Sequence, residues 1–181
     1  MRPLLRSGAV RTDPYTLVCE AGSLADVPDA TPVIVPLPLW RKARAALVAR
    51  GDAGAWLAPD DDPGELAPDV ARVPVIAVAF PSFTDGRGYS TARLLRERYR
   101  YAGELRAFGD VGRDQLYALR QAGFDAFVLR AGADAQAALA GLADFTDGYQ
   151  ATAQRTPWFR RRDEAGGDGR VVPALSPART S

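Results

Sequence analysis

The segment VPVIAVAF, residues 73–80, constrains the fold more than any other part of the chain. It is continuously apolar and rich in β-branched residues. A strand with one face in water alternates polar and apolar positions, so a run with no polar face calls for cover on both sides. That cover is characteristic of a parallel sheet wrapped by helices. The flanking sequence supplies the helices. Pro38 opens a helical pattern through Trp40, Ala43, Leu47 and Val48, which Gly51 ends. Ser90 is expected to cap a helix carrying Leu94, Leu95 and Tyr99, and Gly109-Asp110 to supply the turn and N-cap of a helix reaching Gln121, stopped by Gly123. Asp134 is expected to cap a helix of Ala and Leu. Strands are predicted at 15–19, 31–37, 54–58, 104–108 and 125–130, with 149–152 as a last strand or a continuation of the helix.

Strand and helix thus alternate at intervals of roughly 20–25 residues, the pattern of right-handed crossovers in a parallel sheet. The expectation is an α/β fold: a single domain, residues 15–155, with a mainly parallel sheet, either open or a partial β/α barrel. Residues 1–14 lack periodicity and read as a leader with a short strand at Leu4-Leu5. From 156 the composition shifts to PWFRRRDEAGGDGR and then to Pro, Ser and Ala, which reads as a flexible C-terminal tail, 156–181.

Composition bounds the chemistry mainly by what is missing. The 181 residues include no histidine and one cysteine, Cys19, so the chain has no His-based triad, no intrachain disulfide, and no ligand set for a zinc or iron–sulfur site. Cys19 follows an apolar run and reads as a buried structural thiol. The one lysine, Lys42, sits on a predicted solvated helix face, where a Schiff-base role has no support. Asp60, Asp61 and Asp62 are consecutive within a Pro/Gly turn and read as turn and capping residues rather than a metal loop. A net charge of +1 offers no global attraction to nucleic acid or an anionic membrane. Apolar stretches are of strand length and the N-terminus lacks a signal-peptide core, so the expected location is cytoplasmic, with no membrane partner.

A site is expected where the central run ends. In parallel α/β sheets, ligands collect outside the carboxyl ends of the strands, and that edge carries Asp60 to Asp62, the stretch from Ser82 to Ser90 with Thr84, Asp85, Gly86, Arg87, Gly88 and Tyr89, then Asp110 and Arg130, with Arg113 a further binding candidate. Gly86 and Gly88 would permit a tight turn at a helix start. Arg87 and Arg130, with the loop N–H groups, would then hold a carboxylate, phosphate or sulfur oxyanion. Asp85 and Asp110 would orient those arginines or accept a hydroxyl. Gly86-Arg-Gly88 is a poor dinucleotide fingerprint, because Thr91 stands at the third glycine position and the bulky Arg87 lies between the two glycines. Tyr89, Tyr99 and Tyr101 offer faces for a flavin or a base, although helical spacing favours packing. Arg93, Arg96 and Arg100 fall at i, i+3 and i+7, so an α-helix would align them as a basic face suited to an acidic protein partner. No residue is assigned a catalytic role.

The string FPSFTDGRGYSTARLLRERYRYAGELRAFGDVGRDQLYALRQAGFDAFVLR, with the later FTDGYQ, resembles a bacterial family of unknown function. Its members are described as oxidoreductases involved in sulfite reduction and are encoded beside sulfite reductase. The resemblance covers about residues 33–150. It is carried by Phe80, the TDGRGYS block at 84–90, Arg93, Leu94, Leu95, Arg96, Gly109, Asp110, Arg113, Asp114, Gln115, Leu116, Arg120, Gly123, Phe124, Asp125 and Arg130. It implies an accessory role in assimilatory sulfite reduction and cysteine biosynthesis, assisting electron delivery, with sulfite reductase or its electron carrier as partner. With one cysteine and no histidine, electron transfer by the chain itself would require a bound flavin or nicotinamide; otherwise the redox centres belong to the partner. A flavin- or nicotinamide-dependent oxidoreductase and a non-redox oxyanion-binding protein are the alternatives.

Overall fold

The computed structural model describes residues 3–143. The expected tail at 156–181 and the element at 149–152 lie outside the described residues. The chain runs β1 (Leu4–Arg6), β2 (Ala9–Arg11), β3 (Thr16–Leu17), β4 (Val33–Pro36), α1 (Leu37–Arg50), β5 (Ala53–Leu57), β6 (Val75–Phe80), α2 (Arg87–Arg93), β7 (Glu104–Gly109), α3 (Leu116–Ala122), β8 (Ala126–Val128) and α4 (Ala135–Ala143). A π-helical turn, Leu94–Arg98, extends α2, and short 3₁₀ turns occupy Leu24–Asp26, Pro63–Leu66 and Arg113–Gln115.

These strands form one sheet of order β2-β1-β8-β7-β6-β5-β4-β3. From β3 to β8 every pair is parallel and sequential strands are neighbours, so each crossover steps the same way and leaves its helix on the same face. Val33, Val35, Ala55, Leu57, Ile76, Val78, Phe80, Leu105 and Ala107 point to that face and pack with Trp40, Leu47, Leu95, Leu116 and Leu119 of the helices. The alternate positions Ile34, Val75 and Ala77 face the other way, with Tyr15, Leu17, Trp56 and Phe108 around them. Both faces of β6 are therefore covered, as the unbroken apolar run of 73–80 requires.

The fold is a curled half-barrel, and residues 12–15 show why it cannot be flat. They join β2 to β3, which lie at opposite ends of the strand order. Edges of a flat eight-stranded sheet would stand roughly 33 Å apart, whereas the five steps from Arg11 to Thr16 reach about 18 Å at most. Asp13 in this connection accepts a 2.6 Å hydrogen bond from Arg106 of β7, so the strap crosses the face that has no helices. There Arg106 also donates to Glu104 at 2.9 and 2.7 Å, and Glu104 pairs with Arg6 at 3.0 Å. Arg106 and Glu104 are both buried.

Residues 4–11, within the stretch read as a leader, form a hairpin whose first strand pairs antiparallel with β8. Leu4 and Leu5 are both buried, one toward each face of the sheet, which explains why so short a strand holds there. Cys19 is exposed and not the buried thiol expected; it stands two residues past the end of β3.

Candidate functional site

The loops leaving β6, β7 and β8 lie together at the carboxyl edge of the sheet, and two glycines fix their geometry. Gly109 ends β7 at φ +108°, and a Cβ there would fall 2.3 Å from the carbonyl oxygen of Phe80. With that space free, Asp110 N–H donates to the Phe80 carbonyl at 2.7 Å. The Asp110 carboxylate then accepts from the Phe83 N–H at 3.0 Å and lies 3.5 Å from the Arg130 guanidinium. Gln115 closes the arrangement by donating to the Phe83 carbonyl at 3.1 Å while accepting from the Gly112 N–H at 2.9 Å. Asp110 is thus a bridge between three loops and not the helix N-cap expected of it; the 3₁₀ turn at Arg113–Gln115 starts α3 instead.

Gly88 is required for space rather than for a turn. A Cβ on it would lie 2.5 Å from the tip of the Phe80 ring, which packs edge-to-face with Tyr89 at 5.6 Å. Helix α2 begins at Arg87 with Gly86 at its N-cap, so Ser90 is an exposed residue inside the helix and not its cap. Asp85 takes the capping function by accepting from the Arg87 N–H at 3.1 Å. Burial, and secondarily the charge of Asp114, push the Tyr89 phenol above its ordinary pKa.

Arg87 does not reach toward Arg130. Its guanidinium donates to Asp85 at 3.0 and 2.6 Å and pairs with Asp60 of the preceding loop. These hydrogen bonds hold the Asp85 carboxyl below its ordinary range, and the Arg87 guanidinium above its own. With two carboxylates on it, Arg87 is engaged in joining the loops after β5 and β6. Asp62 accepts from the Gly64 N–H and Asp61 from the Ala58 N–H, which agrees with the turn-and-capping reading of this acidic run. Ser82 and Thr84 bond one another at 3.1 Å on the exposed rim. Among the described residues, no group of three or more Cys, Asp or Glu side chains is placed to hold a metal ion.

The basic face expected at Arg93, Arg96 and Arg100 is reorganised. Tyr99 N–H bonds the Leu94 carbonyl, an i to i+5 contact that widens the helix and changes which residues face out. Arg96 consequently turns inward. Its guanidinium donates to the carbonyls of Tyr101 (2.6 Å), Gly103 (2.9 Å) and Gly123 (3.0 Å), pairs with Asp125, and lies over the Tyr101 ring. Ser90, Arg93, Leu94, Glu97 and Arg98 form the exposed face, followed by exposed Arg100. Leu94, expected to pack, is 41% exposed. Tyr101, one of the three rings considered for stacking, is in the core with its hydroxyl bonded to the Val73 and Glu104 carbonyls. Burial pushes its phenol far above the ordinary value.

A cleft of about 430 Å³ lies beside Arg130, lined by Arg113, Asp114, Arg130, Ala131, Gly132, Ala133, Asp134 and Ala137. Of the residues expected at the site, it brings Arg113 and Arg130 together and leaves the loop at 82–90 outside its lining. The wall at 131–134 was not anticipated from sequence. Its signal was present in Gly132, at φ +80°, followed by the capping residue Asp134.

A model of a family of bacterial proteins of unknown function, DUF934, matches residues 54–159, more than half of the chain. The chain belongs to this family. The DUF934 match starts at the second residue of β5, runs past α4 and takes in every residue of the cleft and of the α2 face. The hairpin, the strap and β4 lie before it. No curated protein matches the chain. No helix among the described residues is long and apolar enough to cross a membrane.

Proposed function

We propose that this DUF934 protein is an accessory of assimilatory sulfite reduction that assists electron delivery, docking onto sulfite reductase or its acidic carrier through the outer face of α2 and its π turn. The observation that carries the docking is the face itself. Arg93, Arg98 and Arg100 are exposed, with no carboxylate partner among the described residues, and Leu94, next to Arg93 and one turn before Arg98, is an exposed apolar side chain in the same stretch. Unpaired cations in a stretch with an exposed apolar side chain suit a partner of opposite charge and speed its encounter. Glu97 is the one acid on this face and leaves it net positive. The sulfite assignment is supported by the resemblance carried by the TDGRGYS block and the residues matched through Arg130.

Binding to purified sulfite reductase and to its carrier, measured by surface biosensor, tests the reading. Affinity for one of them is expected to fall as salt rises from roughly 50 mM to 0.3 M. The variant Arg93→Glu/Arg98→Glu/Arg100→Glu should lose on the order of tenfold or more. No binding to either, or binding that the triple variant leaves unchanged, would remove the proposal.

A further inference from the structure

We propose that the cleft beside β8 is a binding site for a small organic molecule bearing a tetrahedral oxyanion, a sulfur or phosphorus oxo group. Two cations face it in unequal states. Arg113 is exposed with no carboxylate partner among the described residues, and Arg130 is 57% exposed and held only at 3.5 Å by Asp110. That contact runs from one guanidinium nitrogen to Asp110 Oδ1, so Arg130 keeps most of its donor capacity for a ligand. The two acids in the lining differ as well. Asp134 is spent on the Gln136 and Ala137 N–H groups, at 2.9 and 3.1 Å, so the first turn of α4 is already capped and the two arginines would hold the anion. The exposed Asp114 carboxylate has no hydrogen-bond or salt-bridge partner among the described residues, leaving it available to a hydroxyl or amine of the same ligand.

Volume and position agree with that class. About 430 Å³ far exceeds a bare oxyanion and falls in the range of small-molecule pockets. Gly132 forms part of the wall where a Cβ would meet nothing within 4 Å, so the cleft is open at that point. It lies at the carboxyl edge of a curled parallel sheet, the end where β/α barrels place their ligands. The inference does not rest on the docking reading, because the cleft and the α2 face share no residue.

Calorimetric titration at low ionic strength with sulfite, sulfate, inorganic phosphate and glycerol 3-phosphate tests it. Glycerol 3-phosphate is expected to bind more tightly than inorganic phosphate, since its body adds contacts in the cleft. Arg113→Gln and Arg130→Gln should each weaken binding on the order of tenfold. Arg120→Gln, outside the lining, should leave it unchanged, and thermal midpoints would show that all three variants fold. The preference between sulfur and phosphorus oxyanions then assigns the source of the ligand. Absence of binding by all four probes at millimolar concentration, or binding indifferent to both cleft substitutions, would overturn the proposal. The cleft variants should still bind the reductase or carrier as the wild type does, which keeps this test separate from that of docking.

Discussion

Arg93 and Arg96 stand three residues apart in the same Arg-rich stretch and do opposite things. Arg93 is exposed; Arg96 satisfies three backbone carbonyls and pairs with Asp125, which in turn accepts from the Leu105 N–H at 2.9 Å. Removing the Arg96 guanidinium would strand those carbonyls where α2, α3 and β7 meet. Arg96→Ala is expected to cost roughly 2–3 kcal/mol in urea unfolding, and Arg93→Ala to stay within about 0.5 kcal/mol. Equal effects would show that Arg96 is not structural. Sequence could not separate the two arginines because the i, i+3, i+7 argument assumes α-helical spacing. The bond from Tyr99 N–H to the Leu94 carbonyl breaks that assumption through backbone geometry that no residue type announces. Other residue-scale expectations rested on local chemistry and agree with the structure: Gly51 and Gly123 end their helices in left-handed conformation, and Asp134 caps α4.

At the scale of elements, Asp69 shows how α1 is fixed to the segment before β6. Its carboxylate is buried and accepts from Trp40 Nε1 at 3.2 Å, and from Arg44 and Arg72 at 2.6 and 2.7 Å. Burial alone would raise its pKa, but the hydrogen bonds from Arg44 and Trp40 and the two positive charges outweigh it and hold the carboxyl below its ordinary value. A depressed folded pKa contributes stability that is fully present above the unfolded value near pH 4 and is lost as pH falls through the folded value. Chemical unfolding followed from pH 7 to 2.5 should therefore show wild type losing this contribution only below about pH 4. Asp69→Asn should be less stable than wild type at pH 7, by at least about 2 kcal/mol. The gap should narrow in acid; a gap constant across that range would contradict the assignment. The Trp40 spacing predicted a buried face for α1, and Trp40 is buried. Its partner was not legible, because Asp69 lies 29 residues away.

For the whole molecule, the order of strands and helices was readable from periodicity, and the curl was not. It follows from a connection of four residues between strands at opposite ends of the sheet, and from Asp13 meeting Arg106, 93 residues apart. Glu104 and Arg106, at alternate positions of a strand, were the available sign that its second face holds charge. Their burial depends on Arg6 and the strap, and no local pattern reports such partners. Curl also decides where function can sit, since it keeps the helices and α2's basic face outside while the loops after β6, β7 and β8 gather at one rim. We propose for this outer face the role of helping electrons reach sulfite reductase. Its most direct test is the steady-state rate of sulfite reduction with the natural electron carrier held limiting. Adding the wild-type protein should raise that rate, and the Arg93→Glu/Arg98→Glu/Arg100→Glu variant should not. A rate unaffected by the wild type, or raised equally by the variant, would contradict the account.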